Sequence, residues 1–517
     1  FGKMNFPKSY RSYAKCREIY PEIINPHLQG TIYLVPKIYH GPLDWTVNKY
    51  ANRTYFEVGF SLQRRCHLYD IFTALWVSIG LSRPMNVYQA RDFVRFFERT
   101  FRLDATAPNF HYKRLKALCT KFRLLWTNHG RPSRSDLGQF FPKSFIGDVQ
   151  RLISKDDSIL YLITGIARAL PKIDSIGCDQ MMLKHRATVT QEVKPLPVIW
   201  QRKFEVWIKS PYFNYTRSTP RGNTSIVSNS ACLEKTRKQG GRNAYLADRV
   251  NPRSIRTEDA LTMVSFKNLP DYGKRRRDFQ AARLRTLTSY IATQDKPPSL
   301  LTAVPVAVRE YGWKARIVTK SNAASVMGAH RHRERLYNLL YKIPQCHSSV
   351  TQDPVILKTR GLSKGYRLYS SDLSRATDTI SHQAIRMMAK EFKIPLGYLI
   401  PATPYRWYRG TPMGMPLGWS ILSLIHYFVA ISADPKGIFV IKGDDLLGWW
   451  TSRTWRKYKR FARYFGLEVK QTNQGSFIGN TRGVYCERPY CLFSDGTIRE
   501  LKGYFPLRIF VEHTTPF

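Results

Sequence analysis

Short runs that end in acid, one of them wholly apolar, mark the C-terminal half of this chain. Ile438-Phe-Val-Ile leads through Lys-Gly into Asp444-Asp445, and Arg367-Leu-Tyr-Ser-Ser leads into Asp372, seventy-two residues upstream of Asp444. Runs of this length predict buried strands. Leu446-Leu-Gly after the paired aspartates makes the second run a hairpin with acids at its tip. From Lys314 the pattern alternates, with Lys314, Arg316 and Val318 on one strand face and Ala315 and Ile317 on the other. Helical spacing is found in Pro84–Phe101 (Val87, Ala90, Val94, Phe97), and helices are also expected over about Ile380–Phe392 and Thr454–Phe465. Gly466-Leu-Glu-Val-Lys470 reads as a turn into a strand. The longest apolar stretch, Ile421–Ala433, contains His426 and is too short to span a bilayer. Tyr212–Thr224 reads as a loop or domain boundary, and Ser228–Arg242 pairs a possible helix start with a Gly-Gly stop.

Strands ending side by side would bring Asp372 and Asp444 together. Carboxylates held that close raise each other's pKa unless a cation lies between them. Magnesium takes one or two carboxylates plus substrate phosphates, the arrangement of two-metal nucleotidyl transfer. Asp372, Asp444 and Asp445 are therefore the candidate catalytic and metal-binding residues, with magnesium, or alternatively manganese, as the ion. Asp445 is the weaker ligand candidate, because neighbouring side chains on a strand point apart. Lys314 and Arg316 suit an incoming triphosphate, and equally suit a solvated edge strand. Asp378 is either a ribose-sensing acceptor or a helix cap. Gly410-Thr411-Pro-Met-Gly414, on the way to Ser420, is a loop that allows close backbone approach to template or nucleotide. Lys470 is the candidate general acid beside the leaving pyrophosphate, with solvation as its ordinary alternative.

Charge changes the picture most. Of 517 residues, 82 are Lys or Arg against 37 Asp or Glu, a formal net charge of +45. A long polyanion is the natural partner. Aromatic content of 13% argues against a disordered basic tail. Charge alone suits a packaging protein equally well. Lys274-Arg-Arg-Arg277 is either a solvated run or an RNA contact. Eight scattered cysteines form no Cys-x-x-Cys pair, which suits reduced thiols in an intracellular compartment. No signal peptide is visible, and the start at Phe1 suggests processing or truncation.

Five ordered motifs carry a family likeness: Glu310-x-Gly-x-Lys314-x-Arg316, Asp372-Leu-Ser-x-Ala-Thr-Asp378, Gly410-Thr-Pro-Met-Gly414 continuing to Leu422-Ser-Leu-Ile-His426, Gly443-Asp-Asp445, and Gly483-Val-Tyr-Cys-Glu487. Together they resemble the RNA-dependent RNA polymerases of narnaviruses and botourmiaviruses, distant kin of levivirus replicases, over about residues 225–490. Ser230-Ala-Cys-Leu-Glu234 with Gly240-Gly241 is similar to a fingers segment of that group. The resemblance implies an α+β right-handed polymerase with an antiparallel-sheet palm. Residues 201–365 would be fingers, 366–487 palm and 488–517 a partial thumb or remnant, with 1–200 packing on the fingers or thumb side. It implies viral RNA synthesis from nucleoside triphosphates on an RNA template, in host cytoplasm with viral RNA or else in the mitochondrion. Gly418 stands where the family usually has serine, which leaves Ser420 or Thr411 for a hydroxyl contact. The family's later lysine usually falls nearer Asn473 and Gln474, which puts Lys470 in question.

Two other readings compete. A non-catalytic RNA-binding protein on a polymerase fold has no reason to keep three aspartates in an acid-poor chain. Reverse transcriptases typically place a bulky aromatic shortly after the first aspartate, where this chain has Leu373-Ser-Arg-Ala-Thr-Asp378. Seventy-two residues follow Asp445, and Arg488–Phe517 is too short for an independent thumb. A reduced thumb, or one supplied by residues 1–200 or by a second viral chain, is expected.

Overall fold

In the computed structural model, the described residues are 55–81, 86–213, 230–245 except 243, 301–359 except 352, 364–501 except 473, and 507. The basic run 274–277, most of the loop at 212–224 and the chain beyond 501 other than Leu507 lie outside them, so the expected thumb remnant is described only over its first strands.

The N-terminal part is helical, with α1 (Tyr55–Ser78), α2 (Val87–Thr106), α3 (Pro108–Thr127), α4 (Ser175–Val189) and α5 (Val198–Ile208) as its main elements. Helix α2 starts three residues later than the periodicity predicts, because Asn86 and Gln89 form a reciprocal capping box. Its buried stripe includes Phe93, Phe96, Phe97 and Thr100; of the expected stripe Phe97 is buried, while Ala90 and Val94 are half-buried beside the larger aromatic rings.

Strands β1 (Leu301–Glu310) and β2 (Lys314–Ser321) form an antiparallel hairpin, and helix α6 (Ala323–Lys342) follows. Within β2, Ala315 and Ile317 are buried and Lys314 and Arg316 exposed, as the alternation predicts. Short β3 (Ile356–Lys358) leads to β4 (Tyr366–Ser374), which runs three residues beyond its predicted end, so Asp372 lies inside the strand. Helix α7 (His382–Glu391) and the buried helix α8 (Gly418–Ala433) come next, then β5 (Phe439–Lys442), β6 (Asp445–Thr451) and α9 (Ser452–Tyr464). Strands β7 (Glu468–Val469), β8 (Phe477–Gly479), β9 (Arg482–Tyr485), β10 (Arg488–Leu492) and β11 (Thr497–Glu500) complete the described chain.

The central sheet has the order β5-β6-β4-β7, with β8 also on β4, and every pairing is antiparallel. Strand β5 is apolar at Phe439, Val440 and Ile441, and β6 at Leu446, Leu447, Trp449 and Trp450, because both faces of the sheet are covered. Ile441 and Leu446 enter the core with α5, α6, α8 and α9, whereas Val440 and Leu447 enter a smaller core with Tyr485, Tyr490 and Ile498. Each such buried side chain stabilises the fold by about 1.5–3 kcal/mol. Asp434, at the end of α8, accepts from the Ile438 amide (3.0 Å) and Trp450 Nε1 (2.9 Å), which ties both hairpin strands at their base. A second sheet has the order β9-β10-β11-β3. Helices and antiparallel sheets thus make an α+β fold. The expected helix start within Ser228–Arg242 is a single 3-10 turn, Arg237–Gln239, capped by Thr236. Among the described residues, no helix is long and apolar enough to cross a membrane.

Candidate active site

Asp372 and Asp445 are directly opposite in the β4–β6 ladder, so their side chains leave the same face of the sheet. Asp444 projects past the last ladder pair, on the two-residue turn that joins Lys442 to Asp445. Gly443 makes this turn, at φ 63°, and a Cβ there would lie 2.6 Å from Trp419 Nε1, so only glycine fits. The structure therefore pairs Asp372 with Asp445 across the strands and sets exposed Asp444 at the rim, whereas the sequence suggested Asp372 beside Asp444.

The electrostatics follow from the crowding. Burial first, then repulsion from Asp444, Asp372 and Glu487, holds the Asp445 carboxyl well above the ordinary carboxylate range. Burial also raises Asp372, which Lys470 pulls back and Asp444 and Glu487 push further. Among the described residues, no three acidic, His or Cys groups close into a ready-made metal cage. Oxygen-only donors that stop short of a cage suit a hard ion that takes one or two carboxylates and completes its shell with phosphate and water.

Lys470 meets Asp372 directly, and further cations gather around Lys470 and Glu487. Lys470 Nζ donates to Asp372 Oδ2 at 2.5 Å, and the Lys470 amide donates to the Asp372 carbonyl at 3.0 Å. Half-buried Lys116 has a depressed pKa chiefly from burial, and Lys314, although exposed as a residue, is lowered too, chiefly by loss of water around its ammonium within the site. Lys314 and Lys470 repel Lys116, while Arg316, Arg168 and Lys470 repel Lys314. Arg316 Nε pairs with Glu310 across its own hairpin at 3.2 Å. Arg168 pairs with Glu487 at 2.9 Å, and Arg123 binds the same carboxylate. Burial alone would raise Glu487; the two guanidiniums more than offset it and bring its carboxyl down to about 2.

The loop and the second aspartate lie deeper. Asp378 is buried within the short helix Ala376–Thr379, and its Oδ2 accepts from His185 Nδ1 of α4 at 3.0 Å. Gly410 and Thr411 donate their amides to the Ile380 and Thr377 carbonyls, both at 2.8 Å, and the Thr319 amide donates to the Met413 carbonyl at 2.7 Å. Gly414 thereby lies against β2, where an added Cβ would meet the Thr319 carbonyl at 2.8 Å. Thr411 Oγ1 donates to the Leu399 carbonyl at 2.9 Å. Ser420 is fully buried, and its hydroxyl has no hydrogen-bond partner among the described residues.

No family model matches the chain. Individual proteins do. The RNA-directed RNA polymerase of Saccharomyces 23S RNA narnavirus is 24% identical over 383 residues, 63% of this chain and 38% of that protein. The corresponding polymerase of Saccharomyces 20S RNA narnavirus is 25% identical over 294 residues, 51% of this chain and 34% of its own length. This chain is similar to narnavirus RNA-directed RNA polymerases. Its matches span just over a third of the length of those relatives. Among solved structures, the RNA-dependent RNA polymerase of a human picobirnavirus aligns over 74% of both chains, with 10% identity and a TM-score of 0.45. Its insertion-loop deletion mutant aligns with 9% identity and a TM-score of 0.41, over 74% of this chain and 76% of that one.

In this narnavirus-like chain, helix α3 supplies what motif reading missed. Asn109, Tyr112, Lys116, Cys119 and Arg123 recur at spacings of three and four along it. Asn109 Oδ1 accepts from Trp313 Nε1 at 2.9 Å, and the Tyr112 ring lies 4.4 Å from that of Trp313. The β1–β2 turn docks beside them, its Gly312 and Trp313 amides donating to the Leu170 (2.6 Å) and Pro171 (2.9 Å) carbonyls. The same stripe then presents Lys116 and Arg123 to the site. Two cations within a stripe of core-forming residues was the signal available in the sequence.

Proposed function

We propose that this chain carries the catalytic part of an RNA-directed RNA polymerase that builds RNA from nucleoside triphosphates on an RNA template. The observation that carries this reading is the opposition of Asp372 and Asp445 beside the Asp444 turn, with Lys470 bound to Asp372 and Lys116 and Lys314 within electrostatic reach of Lys470. The reaction is attack of a 3′-hydroxyl on an α-phosphate with departure of pyrophosphate. Asp372, Asp444 and Asp445 are the residues that would hold divalent ions, magnesium or manganese. Such ions, when bound, neutralise charge on the reacting phosphoryl group and activate the attacking oxygen. Lys116, Lys314 and Arg316 offset the triphosphate charge, and Lys470 is placed to hand a proton to the leaving pyrophosphate. Asp378, held by His185, senses the ribose 2′-hydroxyl, while the Gly410–Gly414 loop supports it from behind. The +45 net charge supports RNA template and product as partners. Replication in host cytoplasm agrees with the narnavirus likeness.

The test is extension of a labelled RNA by purified protein with magnesium, comparing ribonucleotides with deoxyribonucleotides. Ribonucleotides should be incorporated preferentially, and Asp378→Ala should lower that preference. Asp372→Ala and Asp444→Ala should abolish synthesis while RNA binding persists. RNA binding without synthesis by the parent protein, or near-parental extension by either metal-site variant, would overturn the reading.

A further inference from the structure

A buried hydrogen-bond chain links the backbone on either side of the acids. His426 Nδ1 lies 2.8 Å from the Gly443 carbonyl and His426 Nε2 lies 2.7 Å from the Tyr458 hydroxyl. The Tyr458 hydroxyl is in turn 3.0 Å from Ser371 Oγ. His426 and Tyr458 are fully buried and Ser371 is nearly so.

The chemistry fixes the direction of every bond. A carbonyl only accepts, so His426 Nδ1 carries the proton. Burial pushes the imidazole pKa down to about 4, so at neutral pH the ring is uncharged and Nε2 is an acceptor. Tyr458 must then donate to Nε2, which leaves its oxygen to accept from Ser371. Ser371 O–H to Tyr458, Tyr458 O–H to His426, His426 N–H to Gly443 is the single arrangement in which all three bonds are made. Its ends are the residues immediately before Asp372 and Asp444. Asp444 lies on the two-residue turn between the ladder residues Lys442 and Asp445 and has no ladder pair of its own, so the relay adds a side-chain tie between that turn and β4 to the hold of the ladder.

We propose that Ser371, Tyr458 and His426 are positioning residues that hold Asp444 against Asp372 at a spacing selective for magnesium over larger divalent ions. The inference rests on the metal site proposed above. Magnesium demands near-ideal octahedral geometry at short distances, whereas calcium tolerates variable ligand number and longer bonds. Slackening the relay therefore penalises magnesium more than calcium.

The test needs no turnover. Manganese binding is followed by its electron paramagnetic resonance signal, and magnesium and calcium are titrated as competitors, in the parent, Tyr458→Phe and Ser371→Ala proteins. Each variant should bind magnesium about tenfold more weakly, the usual scale for losing a supporting partner, with calcium affinity held within about twofold and RNA affinity unchanged. Ser371→Ala removes one atom, so it carries the test if Tyr458→Phe fails to fold. Unchanged magnesium affinity, or equal loss for both ions in a folded variant, would overturn the inference. Failure of the parent to bind any of the three ions would overturn the metal site itself, and the inference with it.

Discussion

Lys470 and Asp372, ninety-eight positions apart, are joined twice, by a 2.5 Å ammonium–carboxylate bond and a 3.0 Å backbone bond. The backbone bond explains the side-chain one. Strand β7 pairs with the end of β4, so the residue after Val469 is delivered to Asp372 whatever its side chain. Family spacing alone leaves Lys470 in doubt; pairing of β7 with β4 brings it to the acids.

A lysine so placed should act in chemistry rather than in RNA binding. Lys470→Met is expected to slow single-nucleotide extension about a hundredfold, the usual scale for loss of a general acid, with little change in RNA affinity. Lys470→Arg should not restore the rate, because a guanidinium does not give up its proton. Rapid-quench kinetics on a primed template checks both.

Lys116 has a different signature. Its ammonium is held among Lys314 and Lys470 at an electrostatic cost that a bound polyphosphate would relieve. Lys116→Ala should raise the KM for nucleoside triphosphates about tenfold, roughly 1.4 kcal/mol of binding, with a smaller effect on kcat. The change in stability should be small, since Lys314 and Lys470 repel the half-buried ammonium while Glu487 attracts it. Steady-state kinetics and a thermal melt separate this from a packing role.

Glu487 gives a pH-dependent stability. Its folded carboxyl titrates at about 2 and its ordinary value is 4.5, so its ion pairs contribute fully above about 4.5 and are lost as pH falls toward about 2. Glu487→Gln should therefore lower the melting temperature at pH 6–7, and the gap to the parent should close on acidification through that window. A gap that is constant with pH would assign the loss to shape rather than charge.

Much of the central region was legible because its signals are local. Apolar runs gave β5 and β6, since a strand covered on both faces takes apolar residues on each, and the short run ending in Asp372 gave β4 although it carries Arg367, Ser370 and Ser371. Alternation gave β2, and Gly443 gave the turn that only glycine can make. Ends were less legible. β4 outruns its predicted segment because pairing with β6 and β7, not hydrophobicity, carries it through Asp372 to Ser374.

The sequence by itself determined which residues are candidates for the chemistry and that a polyanion is the expected partner, because residue types and net charge are the same in any conformation. Tertiary structure alone decided the neighbours. Register placed Asp445, not Asp444, opposite Asp372, a choice that a one-residue slip would reverse. Packing of α3 and α4 brought Lys116, Arg123 and His185 to acids between 193 and 371 residues away. Contacts that distant in sequence leave no local pattern; they exist because buried charges must find partners, and the folded core decides which ones come within reach.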